Sequence, residues 1–432
     1  MKKNKTIYPV SKSALFSWAL YDWASSSFSA IITTFVFAAY FTKKVAENET
    51  IGSAQWGNTL GIAGMIIAFA GPILGAIADQ SGRRKLWVFG FTILCIIPTA
   101  FLWMIEPDPS YTWLALSLVG LATLGTEFAS IFYNAMLPDL SGSKHIGRWS
   151  GWGWGIGYIG NVLCLIIALL IFIQKGEQWF GLHTESAEPV RATFLLVALW
   201  YFLFSLPLFL ITPDTRGIGK PISQAIKDGI GQLYSSIKNI RQYRYIVRFF
   251  IARIFYIEGL ATLFTFGGVY AAGTFNMSEQ DILLFGISLN ITAAFGAGIF
   301  AWIDDRIGSK QAILIALIGL MVFGTLVLLV KTAKLFWLFG LLLGVFVGPA
   351  QAASRSFLAK TAPSTLRNEM FGLFALSGKV TSFLGPLLVG WGTYFSGSQR
   401  IGMSTIVIFF IIGFIIMCSV PNAESLNEEE TI

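Results

Sequence analysis

The chain has 432 residues, of which 55% are hydrophobic and only 12% charged. Soluble domains carry roughly a quarter charged residues, so this composition excludes a globular protein covered by water. The formal net charge is +7, yet nucleic acid does not explain it, because the basic residues are concentrated in alternate loops.

A bilayer crossing needs about 20 mainly apolar residues, and twelve stretches meet that rule. In chain order they are 14–41, 56–78, 86–105, 112–135, 149–173 and 191–211, then 247–271, 281–303, 311–330, 335–357, 369–394 and 401–420. The opening MKKNK looks like the basic start of a signal peptide. The apolar run behind it is longer than a 7–15-residue signal core, so an uncleaved first span is expected. Summed over alternate loops, most of the 30 Lys and Arg residues fall on the side of the N-terminus. By the positive-inside rule both termini are then cytoplasmic, in the plasma (inner) membrane, and the span count is even. The class is an all-α polytopic membrane protein.

The longest basic connection divides the spans six and six. Residues 1–211 are expected to form one six-helix bundle and 247–420 a second. The linker 212–246 contains a stretch suited to an amphipathic surface helix, and 421–432 is an acidic tail. The halves repeat. GAIADQSGRRKLW after the second span corresponds to AWIDDRIGSKQ after the eighth, so Asp79, Gly82 and Arg84 match Asp305, Gly308 and Lys310. Leu137 to Gly151 matches Leu358 to Gly372 at nearly the same spacing. Two anchors in one register and one membrane orientation indicate a parallel repeat.

GAIADQSGRRK resembles the signature loop between helices 2 and 3 of the major facilitator superfamily, with Gln80 where a basic residue is usual. Four stretches resemble its vacuole-effluxer-like branch of amino-acid effluxers: ALYDWASSSF, NAMLPDLSGSKHIGRWSGWGWGIGYIGNVLCL, GVFVGPAQAASRSFLAK and FGLFALSGKVTSFLGPLLVG. Ser25 replaces the usual Asn of that branch. The resemblance implies twelve transmembrane helices in two six-helix bundles. Helices 1, 4, 7 and 10 line a central cavity, and 3, 6, 9 and 12 face lipid. It also implies a gating role for the loop residues Asp79, Gly82, Arg83, Arg84, Asp305 and Gly308. Asp79 is expected to cap the start of helix 3 and to pair with Arg83.

A charge at mid-membrane costs about 2.5–3.5 kcal/mol on insertion scales. Beyond the first two positions of each span, six occur: Asp22, Glu127, Arg253, Glu258, Arg355 and Lys379. None falls in spans 3, 6, 9 or 12. Asp22, Ser25, Ser26, Ser29 and Thr33 follow helical spacing and make one polar stripe. Thr123, Glu127, Ser130 and Asn134 make a second, and Glu258, Thr262 and Thr265 a third. Arg253 and Glu258, five apart, do not share a helix face. Arg253 and Arg355 lie near span ends, where long cations can snorkel to the interface. For Asp22, Glu127, Glu258 and Lys379 two readings stand: a structural ion pair, or a substrate and proton site. Burial disfavours a charged carboxylate, which suits it to proton exchange. Asp22 and Glu258 are the first choices for protons or a substrate amine, and Lys379 for a partner to a carboxylate. Asp22, Ser26 and Ser29 should face the cavity, with Trp23 turned away.

Other chemistries find no support. Cys95, Cys164 and Cys418 show no C-x-x-C spacing, and His145 and His183 have no helical His partner, so neither a disulfide frame nor a histidine metal site is indicated. GLFALSGKV has the wrong spacing for a phosphate loop and lies inside a span. The expected function is secondary active transport of a small polar solute such as an amino acid, coupled to protons. No cofactor, no nucleic acid and no enzymatic activity are expected, and the protein should act as a monomer in the bilayer. A passive facilitator is the competing reading.

Overall fold

The computed structural model describes residues 11–214, 222–238, 243–277 and 279–422, all of them in helices and their connections with no strand among them. In the first half α1 spans Lys12–Val45, α2 Glu49–Ser81, α3 Arg84–Met104, α4 Pro109–Ser141, α5 Ile146–Ile173 and α6 Glu188–Ile211. The linker contributes α7, Ile222–Lys238. The second half comprises α8 Arg244–Phe275, α9 Glu279–Ile307, α10 Ser309–Leu329, α11 Ala333–Thr361, α12 Arg367–Ser377, α13 Leu384–Ser396 and α14 Gln399–Cys418. The expected acidic tail lies outside the described residues except for Pro421 and Asn422.

Eleven helices among the described residues are long and apolar enough to cross a membrane. Large apolar side chains such as Phe69, Leu210 and Phe395 stay exposed on them and on α13. In water this would be a liability, whereas in a bilayer it is the outer surface. The eleventh crossing departs from expectation. The stretch 369–394 is not one helix but two, α12 and α13, separated by turns over 378–383. Pro386 supplies no N–H to the residue one turn before it. Side chains of α8 meet the freed backbone groups.

The ends of α2 and α9 explain two glycines of the repeated loop. Gly82 has φ +69° and Gly308 φ +92°, a region that side chains with a Cβ rarely adopt. Both halves therefore stop the helix by the same device. Arg83 comes next in a left-handed conformation (φ +56°) immediately before α3.

The halves meet through α2 against α12 and α5 against α9. These contacts are on the basic face, the side carrying the Lys- and Arg-rich loops. Backbone approaches backbone there: a Cβ on Gly75 would collide with the main chain of Asn368, and one on Gly151 with Ala297 and Ala301. Farther from the basic face, a Cβ at Gly57, Gly61 or Gly64 of α2 or at Gly390 of α13 would meet nothing within 4 Å. The bundles are thus closed together on the basic face, and Asn161 of α5 meets Asn290 of α9 at 3.4 Å farther along the helices.

Candidate functional site: a charged cavity between the bundles

A cavity of about 410 Å³ lies at the junction, walled by α1, α4 and α5 of the first half and by α8, α11 and the α12–α13 break of the second. Asp22, Ser25, Ser26 and Ser29 all line it. Thr33 does not, because α1 changes from α to π geometry over Ser29–Phe35. A π turn carries an extra residue and rotates the rest of the helix about its axis. Trp23 points the other way, stacked on Trp200 at 5.7 Å between ring centroids. From α4 the wall includes Thr126, Glu127, Ser130 and Asn134, while Thr123 is buried outside it.

Two ion pairs join the bundles here. Arg355 Nη1 on α11 donates to Asp22 Oδ2 at 2.9 Å and to Asn134 Oδ1 at 3.2 Å. Its other nitrogens donate to the Ser150 hydroxyl at 2.9 Å and the Ser150 carbonyl at 2.7 Å. The guanidinium also sits 5.0 Å from the Trp18 ring centre, an aromatic face that favours a cation. Arg355 does not snorkel; its side chain is only 3% exposed. The second pair is Lys379 Nζ to Glu127 Oε1 at 2.8 Å, with side chains 33% and 29% exposed. Each pair takes its carboxylate from the first half and its cation from the second. The first pair is the more buried and is held by further partners, and the second is more open to the cavity.

Arg253 and Glu258 have a different place. Arg253 is buried, contacts the cavity wall, and donates Nη1 to the Phe374 carbonyl at 2.7 Å and the Ser377 hydroxyl at 2.6 Å. It too fails to snorkel. Glu258 accepts from the Gly385 N–H at 2.8 Å and from the Thr381 hydroxyl at 3.1 Å. It does not line the cavity, and Glu258 and Thr262 of the expected stripe face α13 instead, with Thr262 directly against Gly385, while Thr265 is exposed. The two charges thus serve the two ends of the break. A cation meets the C-terminal carbonyls of α12 and a carboxylate meets the N-terminal amides of α13, each with the sign the helix dipole favours. Backbone satisfaction by neighbouring side chains is what makes an interrupted helix tolerable in a membrane. Both charges reach the break although they lie on different faces of α8, because one goes to each half-helix.

The loop residues form a second tier on the basic face, and one expectation is corrected. Asp79 neither caps α3 nor pairs with Arg83, which is exposed. Its carboxylate accepts from the Asn368 N–H at 3.1 Å, the Asn368 side-chain amide at 2.7 Å and the Glu369 N–H at 3.0 Å. It therefore caps α12 of the opposite bundle; the polar N-terminus of a half-helix offers better donors than a solvated arginine. The repeat partner does the same in reverse, for Asp305 Oδ1 accepts from the Arg148 N–H of α5 at 3.1 Å. Arg84 pairs with Asp139, which also binds Arg367 Nη1 at 2.6 Å. Asp304 pairs with Lys360 at 2.6 Å. Sequence reasoning does not single out Asp139 or Asp304, although Asp139 lies inside the repeated stretch 137–151, which is the signal that could have found it.

The comparisons agree with this geometry. The family model described as "Vacuole effluxer Atg22 like" matches residues 58–430. An MFS-type transporter of Bacillus subtilis, YxiO, is 30% identical over 416 residues, 95% of each chain. Autophagy-related protein 22-2 of Aspergillus clavatus is 26% identical over 268 residues, 56% of this chain and 43% of that one. Among solved structures, the transporter FucP in the outward conformation superposes with TM-score 0.74 at 12% identity, covering 95% and 98% of the two chains. The human organic anion transporter MFSD10 gives 0.72 at 14%, covering 94% and 99%. The fold is that of a major facilitator transporter, and the chain belongs to the vacuole effluxer Atg22-like family.

Proposed function

We propose that this protein is a secondary active transporter that carries a small zwitterionic solute such as an amino acid by alternating access, driven by protons, with the basic face cytoplasmic. The observation that carries the reading is the pair Glu127–Lys379. It is a carboxylate from one bundle and an ammonium from the other, 2.8 Å apart and partly open to the cavity. A solute bearing both an ammonium and a carboxylate can replace each partner with its opposite, joining the bundles as the pair did. A proton on Glu127 would release Lys379 by a parallel route. Closure on the basic face beneath a charged cavity supports a gated carrier over a continuous pore. In this reading the described state opens outward.

The test uses purified protein in proteoliposomes with a trapped pH indicator. Addition of amino acids should move protons in wild type and not in Glu127→Gln. Solute flux without proton movement would remove the coupling, and absence of any flux with amino acids would remove the substrate class.

A further inference from the structure

The basic face carries a second cavity, of about 710 Å³, between α5 and α9. Lys144, Arg148, Arg306, Lys360 and Arg367 line it, against two carboxylates, Asp304 and Asp305. Asp304 is engaged by Lys360 and Ser309, and Asp305 by Arg148. Lys144 and Arg306 are exposed and form no ion pair among the described residues. The cavity spans the bundles, since Lys144 and Arg148 belong to the first half and the other three cations to the second.

The repeat says what such a place is for. At the equivalent position on the other side of the face, the groove is filled by α7. Gly229 packs on Ala76 and Ile77 of α2. The Gln232 side chain accepts from Gln80 at 2.5 Å and donates to Glu369 at 2.8 Å, touching both bundles at once. Gln80 comes after Asp79 as Arg306 comes after Asp305, and Glu369 gives its amide to Asp79 as Arg148 gives its own to Asp305. The two positions that hold the linker helix on one side are thus arginines on the other, beside an open cavity. The matching strap must be anionic.

The chain supplies one. Asn422, the last described residue, itself lines the cavity and accepts a hydrogen bond from Gln311 at 3.1 Å. The next ten residues, AESLNEEETI, contain Glu424, Glu428, Glu429 and Glu430 and no Lys or Arg. Six extended residues reach about 20 Å, enough to cross a cavity of this size. We propose that segment 423–432 docks in this cavity and straps the two bundles together while the basic face is closed, as α7 does on the opposite side.

Crosslinking tests the proposal without any transport assay. In a Cys418→Ser background, which removes the exposed native thiol, cysteines are placed by Asn427→Cys on the segment and His145→Cys on the first-half wall. Oxidation of the purified full chain in phosphatidylcholine nanodiscs should join them. Replacing Glu424, Glu428, Glu429 and Glu430 with Gln should lower the yield roughly fivefold, the scale of a modest ion-pair network, and salt should lower it as well. No crosslink, or an equal yield with the Gln segment, overturns the proposal. A second arm uses protein truncated after Asn422. Stabilisation by a peptide of sequence AESLNEEETI, lost in Arg306→Gln, supports the strap. Stabilisation by inorganic phosphate or phosphatidylglycerol, but not by the peptide, overturns it in favour of an external anion.

Discussion

Asp79 at the end of α2 accepts the backbone N–H of Glu369 at the start of α12, 3.0 Å away and in the other bundle. Helix capping is ordinarily a local matter, but here it works between halves, and Asp305 with Arg148 repeats it. Loss of a capping side chain costs about 0.5–2 kcal/mol. Asp79→Ala should therefore shift the resting population toward an open basic face by several-fold. Spin-label distances across that face, one label per bundle, measure it; an unchanged distribution would refute the gating role.

The Asp22–Arg355 pair should behave as a buried one. Removing a single partner of such a pair costs about 3–5 kcal/mol, because an uncompensated charge remains. Asp22→Asn and Arg355→Gln should each lower the melting temperature in detergent markedly. The double variant should recover a large part of the loss. Additive losses in that cycle would show that the two side chains are energetically independent.

Lys379 and Glu127 should separate stability from function. Exposed pairs contribute about 0–1 kcal/mol, so Lys379→Gln should melt close to wild type. It should also lose the stabilisation that an amino-acid ligand confers in a thermal-shift screen. A variant that melts normally and still responds to ligand would place the solute elsewhere.

Glu258 should govern the break in the eleventh crossing. Its carboxylate holds the Gly385 amide, and an unmet buried donor costs about 1–3 kcal/mol. Hydrogen exchange over 378–387 should accelerate in Glu258→Ala and much less in Glu258→Gln, which keeps an acceptor. Equal exchange in both variants and wild type would mean the break is held by its own turns.

Much of this architecture is legible in the chain. Span positions, the repeat and the position of charges within spans come from hydropathy and spacing, which the bilayer makes strict, while which helices border the cavity is what the family resemblance implies. The features that escape have a common cause. The break at 378–383 depends on Arg253 and Glu258 reaching across from α8, and apolar length alone cannot reveal a partner in another helix. Thr33 leaves its stripe because Ser29 begins a π turn, which 3.6-residue spacing does not anticipate. Asp79 reads as a cap of its own loop because a capping motif is local, whereas the N-terminus it serves arrives from 289 residues away. Glu258 reads as a cavity residue by its charge, although its partner is the end of a half-helix.

The glycines at the bundle junction carry a thermodynamic consequence. Where Gly75 lies on Asn368 and Gly372 on Gly71, main chain packs on main chain, and at these positions no long side chain is immobilised in closing the face. Parting these glycine contacts therefore returns little rotamer entropy, of the kind worth up to about 2 kcal/mol for each long side chain released elsewhere. Heat alone is a poor lever on this seam. The work of parting the face falls instead on the caps and ion pairs that tie the bundles beside these glycines, such as Asp79 on Asn368 and Asp139 on Arg367.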